Sequence, residues 1–355
     1  MSARLDTLRQ LAAAHDADGL VVTHPADLRW AVGFTGSNGL LAVTERGAWF
    51  VTDGRYRSQA AAEVEGAEVA VAPGALAEFA SERGYLDGAG RVAVQADRLT
   101  VSAFESLQDA VPDAELVPVR ELLAEAVAAK TPAEVEAVRQ AQALTCDVFE
   151  AVLPTIQPGL SEHAIAAEIV YQHLRRGASA MAFEPIVAAG PRGALPHARP
   201  SSRTLAPGDL VVIDMGGVLD GWCSDLTRTV AIGEPSDDAR DAYDVVRRAQ
   251  HAAISAARAG LTGRALDSVA RDVIAGAGLG EAFSHSLGHG VGLDVHEWPR
   301  LSQQVEHVLP AGATVTVEPG VYLEGRFGVR IEDVIALRDG GSDNLTPLPT
   351  DLIVV

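Results

Sequence analysis

The apolar positions of this chain switch repeatedly between helical and strand spacing. Leu5, Leu8, Leu11 and Ala12 recur at the spacing of one helix face. Short β-rich runs follow at Gly19–Thr23, Gly39–Val43, Ala48–Thr52, Glu68–Val71, Arg91–Val94 and Glu115–Val119, with alanine-rich helical patterns such as Tyr56–Val64 and Ala75–Ser81 between them. Strands alternating with helices predict an α/β domain over residues 1–125. Glu121–Lys130 reads as a connecting segment. Thr131-Pro132-Ala133-Glu134 then has the features of a helix start: Thr at N-cap, Pro at N1 and Glu at N3 completing a capping box. This start opens a second domain over residues 126–355. Further helices are predicted from Ser161 to Gly177, from Ser236 to about Gly260, and from Thr262.

Between and after those helices the period falls to that of strands, and acidic residues stand inside apolar runs. Asp214 lies in Leu210–Gly216 and Asp225 in Cys223–Val230, with Val218-Leu219-Asp220-Gly221 as the turn. A hairpin centred between Leu219 and Asp220 sets Asp214 opposite Asp225. Glu318 in Thr314–Gly320 and Glu332 in Val329–Val334 repeat the arrangement about Gly325. Opposed cross-strand carboxylates, with Cβ atoms about 5 Å apart, repel. Two such pairs in apolar strands call for something cationic between them. The repetition also predicts two similar halves within the second domain.

A cationic partner fits the stretch Phe283–Glu297, where His285, His289 and His296 fall within twelve residues and glycines let backbone approach closely. Four carboxylates and one imidazole suit two divalent cations.

The set Asp214, Asp225, His289, Glu318, Glu332 resembles the five-ligand site of the pita-bread metallopeptidases, which include methionine aminopeptidase, Xaa-Pro aminopeptidase and Xaa-Pro dipeptidase. The order of residue types, the eleven-residue step between the aspartates and the fourteen-residue step between the glutamates all match. His285 to Arg300, ending His296-Glu297-Trp298-Pro299-Arg300, is most similar to the proline-specific branch. The resemblance implies an N-terminal α/β domain joined to a C-terminal α+β pita-bread domain of antiparallel sheet flanked by helices. It implies Asp214 on one metal, His289 and Glu318 on the other, Asp225 and Glu332 bridging, and Glu318 as general base toward a bridging water. It further implies His296 at the carbonyl side of the scissile bond, His285 beside the proline ring, His197 supporting the scissile region, Phe183 on the apolar wall, Tyr322 lining the cleft, and Arg330 orienting a metal carboxylate. Manganese is the implied metal, with Co²⁺ or Zn²⁺ as alternatives; an oxygen-rich donor set agrees with it.

Composition bounds the rest. Lys+Arg 28 against Asp+Glu 48 gives −20, which argues against a nucleic-acid partner. Apolar runs fall short of the roughly 20 residues of a membrane span. Cys146 and Cys223 suggest no disulfide framework. A cytoplasmic homodimer acting on peptides with a penultimate proline is the expectation. Within that class, Phe34–Asn38 and Thr52–Tyr56 are more similar to small bacterial Xaa-Pro aminopeptidases than to archaeal prolidases. The alternative is an Xaa-Pro dipeptidase, whose carboxylate clamp Arg29, Arg55, Arg57 or His24 would supply. A non-catalytic peptide binder and a metal-free C–N hydrolase of the creatinase type are set aside because all five ligand positions are filled.

Overall fold

The computed structural model describes residues 3–355. They form two compact units, Met1–Val127 and Ala128–Val355.

The first unit is α/β. Strands β1 (Gly19–Val22), β2 (Leu40–Thr44), β3 (Gly47–Asp53), β4 (Glu68–Ala72), β5 (Arg91–Gln95) and β6 (Glu115–Val119) make one mixed sheet in the order β4-β3-β2-β1-β5-β6. Helix α1 (Ala3–Ala14) buries Leu5, Leu8 and Ala12, the face read from the sequence. Helices α2 (Pro25–Val32), α3 (Arg57–Glu63), α4 (Leu76–Glu82) and α5 (Val101–Ala110) complete the alternation. The segment expected to be a plain connection, Glu121–Lys130, instead contains a short helix, α6 (Ala124–Ala128). Its alanines favour helix, and Leu122, Leu123 and Ala128 are buried around it.

The second unit opens on α7 (Pro132–Val152), with the Thr131–Glu134 capping box formed in both directions. Next come α8 (Glu162–Arg175), capped by Ser161, and strands β7 (Ala180–Met181), β8 (Ile186–Ala189), β9 (Leu210–Met215), β10 (Gly217–Leu219), β11 (Trp222–Cys223) and β12 (Leu226–Ala231). A second helix pair, α9 (Asp237–Ala256) and α10 (Gly263–Gly276), precedes β13 (Gly288–Gly290), β14 (Glu297–Leu301), β15 (Thr314–Val317), β16 (Gly320–Leu323), β17 (Phe327–Arg330), β18 (Asp333–Arg338), β19 (Gly341–Asn344) and β20 (Ile353–Val354). The two halves match. Each has two helices followed by a neighbouring strand trio, β8-β9-β12 or β13-β15-β18. Residues of α7 and α8 share a buried core with β8, β9 and β12. Those of α9 and α10 share another with β15 and β18. In each half one acid closes the second strand of the trio, Asp214 in β9 or Glu318 after β15, and another precedes the third, Asp225 or Glu332.

Buried polar side chains stitch the halves together. Thr229 Oγ1 donates to the Arg330 carbonyl at 2.9 Å, and the Glu332 amide donates to the Thr227 carbonyl at 3.1 Å. Arg228, 1% exposed, donates to Asp333 Oδ1 at 2.8 Å and to the Glu332 carbonyl at 2.6 Å. Burying a guanidinium is tolerable only with such partners.

Candidate active site

The register of the two carboxylate hairpins fixes which side chains meet. In β16–β17 the pairs run from Leu323↔Phe327 to Gly320↔Arg330, and in β15–β18 the pair nearest the site is Val317↔Asp333. Glu318 and Glu332 therefore stand across from one another, as a turn about Gly325 requires. The aspartate hairpin differs from expectation. Thr227, not Asp225, pairs with Asp214, and Val218 pairs with Cys223. The turn residues are Asp220 (φ 45°) and Gly221 (φ 73°). An Asp-Gly pair with both φ positive is the favoured two-residue hairpin turn, and it moves the centre one residue along from the expected position. Asp214 and Asp225 become diagonal neighbours on one face.

His289 enters on β13 because the backbone around it is glycine. A Cβ on Gly288 would lie 2.1 Å from the Thr316 carbonyl oxygen, and one on Gly290 would lie 2.4 Å from that of Trp298. Only glycine allows β13 to pack this closely between β14 and β15. His289 Nε2 lies 3.3 Å from Glu318 Oε1 and 3.6 Å from Asp225 Oδ2. Ligand atoms of Asp225, His289 and Glu332 all fall within 4.8 Å of one another. His289 Nδ1 donates to the Gly290 carbonyl at 3.0 Å, which turns Nε2 toward the carboxylates.

Each carboxylate is held by further groups. Arg330 donates to Asp214 Oδ2 at 2.5 Å, while Asp214 Oδ1 is buried with no hydrogen-bond partner. Thr227 Oγ1 donates to Glu332 Oε2 at 2.7 Å, and Thr316 Oγ1 to Glu318 Oε1 at 3.1 Å. Gln142 clasps the Asp225 backbone, donating to its carbonyl and accepting from its amide at 2.8 and 3.1 Å. Thr227, Thr316 and Gln142 were not found by reading the sequence, since a lone polar residue in an apolar run gives no sign of its partner.

The remaining expected residues gather around this cluster. His285 Nδ1 donates to the Ser286 carbonyl, so the Tyr322 hydroxyl donates to Nε2 at 2.9 Å while accepting from Arg330 at 2.8 Å. The His296 ring meets that of His289 edge-on, with centroids 4.3 Å apart. Phe183, half-buried, lies against Gly216, two residues beyond Asp214. His197 is exposed; its neighbour Pro196 accepts from Arg330 at 3.1 Å. Burial lowers the pKa of His285, with Arg330 adding to the effect, and partial burial lowers that of His296, with His289 adding to it.

With only side chains to balance charge, the cluster is frustrated. Burial pushes Asp225 and Glu332 well above the usual carboxylate range, and the neighbouring carboxylates push them further. Burial also raises Asp214, despite Arg330. Glu318 goes the other way: burial raises it, but the hydrogen bond and charge of His289 outweigh burial and set it at about 2. Burial lowers His289, yet the bond and charge of Glu318 bring it above its ordinary value. An unpartnered buried carboxylate oxygen, four converging acids and an imidazole presenting Nε2 together fit divalent cations.

A pH prediction follows for chelator-treated protein. Groups whose folded pKa is raised bind more protons folded than unfolded, so stability falls as pH rises from the unfolded value through the folded one. Above about pH 6.5 Asp214, Asp225, Glu332 and His289 act in this sense, while the depressed Glu318 and the lowered His173, His285 and His296 have lost their titrating proton in both states. Thermal melts of chelated protein should show Tm falling as pH rises from 6.5 to 8. Adding Mn²⁺ should raise Tm most at the upper end. A flat chelated profile would contradict the frustration.

Burial pushes the Cys146 and Cys223 thiols up to about 12, and both are free, so neither offers a thiolate near neutral pH. No helix among the described residues is long and apolar enough to cross a membrane.

Comparison with known proteins agrees with this geometry. Residues 136–339 match the model of metallopeptidase family M24, and residues 4–126 match the creatinase/prolidase N-terminal domain. The Xaa-Pro dipeptidase of Pyrococcus furiosus is 38% identical over 257 residues, covering 72% of this chain and 70% of that protein. Among solved structures, an Xaa-Pro dipeptidase from Bacillus anthracis superposes with a TM-score of 0.96 at 36% identity over 99% of both chains. An X-Pro aminopeptidase from Thermotoga maritima superposes with a TM-score of 0.90 at 36% identity, over 98% of this chain and 100% of that one. The chain therefore belongs to metallopeptidase family M24 and has the pita-bread fold, behind a creatinase-type N-terminal domain.

Proposed function

We propose that this enzyme hydrolyses the bond before proline in Xaa-Pro dipeptides, at a site of two divalent ions held by Asp214, Asp225, His289, Glu318 and Glu332. The observation that carries the reading is the buried cluster in which His289 Nε2 faces Glu318 and Asp225 at 3.3 and 3.6 Å. An oxygen-rich donor set with one imidazole favours Mn²⁺. Bound ions would supply Lewis acidity and a water ionised at neutral pH.

The chain's own groups do the rest. An Xaa-Pro bond is a tertiary amide with no N–H by which to align it. Orientation must come from contacts to the substrate amino terminus, the scissile carbonyl and the proline ring. In this reading His296 donates to the carbonyl oxygen, and Phe183 and His285 wall the ring. Glu318 acts as the base. Its depressed pKa depends on a hydrogen bond from protonated His289.

Relatives named Xaa-Pro dipeptidases support the dipeptide over the longer peptide first expected from the N-terminal motifs. The Thermotoga structure keeps the aminopeptidase as the second reading. Steady-state kcat/KM for matched Xaa-Pro and Xaa-Pro-Xaa decides between them. A site that reads the proline carboxylate should prefer the dipeptide by about 10- to 100-fold, the worth of one charge-assisted hydrogen bond. A faster tripeptide reverses the assignment to an aminopeptidase.

A further inference from the structure

We infer that the buried Lys130–Glu297 ion pair positions the loop that carries His296, holding that ring against His289; the inference rests on reading His296 as a substrate contact. Lys130 Nζ donates to Glu297 Oε1, and the two side chains are 2% and 7% exposed. They are 167 residues apart in sequence: Lys130 immediately precedes the cap of α7, and Glu297 opens β14.

A buried pair of this kind recovers little beyond its own desolvation cost, so its consequence is chiefly geometric. The backbone closes directly on it. A Cβ on Gly292 would lie 2.6 Å from Lys130 Cε and 2.7 Å from both Glu297 carboxylate oxygens. One on Gly312, at φ +85°, would lie 2.4 Å from the Lys130 carbonyl oxygen. Lys130 is thus gripped by main chain, and Glu297 is fixed where Lys130 holds it.

The loop from Gly292 to Glu297 is tied at both ends. At the near end the Cys223 amide donates to the Gly292 carbonyl at 2.7 Å, two residues before Asp225. The Gly292 amide turns back to the Asp294 carbonyl at 3.0 Å. At the far end Glu297 pairs with Gly290, the neighbour of His289, across a register shift in β13–β14. His296 adjoins that second tie. It is exposed, yet its ring centroid stands 4.3 Å from that of His289. Releasing Glu297 frees the backbone on which His296 rides and leaves the five candidate ligands untouched.

The test compares Glu297→Gln and Lys130→Met, each in the wild-type and the His296→Ala backgrounds, on Mn²⁺-loaded protein with an Xaa-Pro dipeptide. Each single variant is expected to lose about 100-fold in kcat, the scale of a misplacement near 1 Å, with bound manganese unchanged by elemental analysis. In the His296→Ala background neither should cause a further loss, because both act through that imidazole. Losses that multiply with that of His296→Ala, or manganese content that falls with turnover, overturn the inference while leaving the reading of His296 intact. Wild-type turnover in His296→Ala alone overturns that reading, and the positioning role with it. A lone buried charge left by either substitution is itself destabilising by mechanism. Where a single variant does not fold, Lys130→Met/Glu297→Gln, which leaves no charge unpaired, takes its place, and the same comparison decides.

Discussion

Replacing Asp225 by Asn, or Glu332 by Gln, is expected to abolish turnover and to strip bound metal, while the chelated protein becomes more stable than wild type. The two halves of this prediction have one cause. Asp225 and Glu332 are buried among other carboxylates, and burial together with those neighbours raises both pKa values well above the usual range. An amide is neutral without taking up a proton, so folding without metal no longer carries the cost of protonating that carboxylate or burying its charge. The same amide is a weaker ligand for a hard cation, so metal-loaded protein loses affinity. Loss of a ligand should exceed the roughly 10- to 100-fold cost typical of groups that only orient ligands. Elemental analysis and thermal melts with and without Mn²⁺ check the prediction. A variant holding two full equivalents with unchanged turnover would remove both residues from the ligand set. A chelated Glu332→Gln protein less stable than wild type would show that Thr227 depends on the charge, not merely on the shape, of its partner.

Much of this architecture is legible along the chain because it is written in short-range signals. Thr131-Pro132-Ala133-Glu134 contains the whole cap of α7, and that helix begins where the cap requires. The glutamate hairpin keeps the register of a turn about Gly325, so Glu318 and Glu332 oppose as expected. The aspartate hairpin shows how narrow the margin is. Placing its centre one residue early, between Leu219 and Asp220 rather than between Asp220 and Gly221, converts a diagonal pair into an opposed one. Helix α2 carried a usable signal in Pro25 at its first turn, and α5 in its Thr100 cap. Lys130 with Glu297, Gln142 with Asp225 and Thr227 with Glu332 carried none. Those partners are separated by 167, 83 and 105 residues. Such contacts form only after the halves pack, and no periodicity in either segment records them.

His296→Ala is expected to lower kcat by about 100- to 1000-fold, the cost of removing one preorganised donor to developing negative charge. Metal content should hold. The placement of the ring separates it from the ligand set: His289 directs Nε2 at Asp225 and Glu318, whereas His296 meets His289 only edge to face. Burial lowers its pKa, aided by the charge on His289, so near neutral pH it is a neutral imidazole able to donate one hydrogen bond without carrying charge. A neutral donor suits a carbonyl oxygen that becomes negative only as water attacks, since it gains more in the transition state than in the ground state. The loss should therefore fall on kcat, with KM for an Xaa-Pro dipeptide changing less. His296→Gln, which keeps an N–H donor, should recover part of the rate. Manganese lost in proportion to activity would make His296 a ligand and the five-residue site incomplete. A loss confined to KM would place it on the substrate away from the reacting carbonyl.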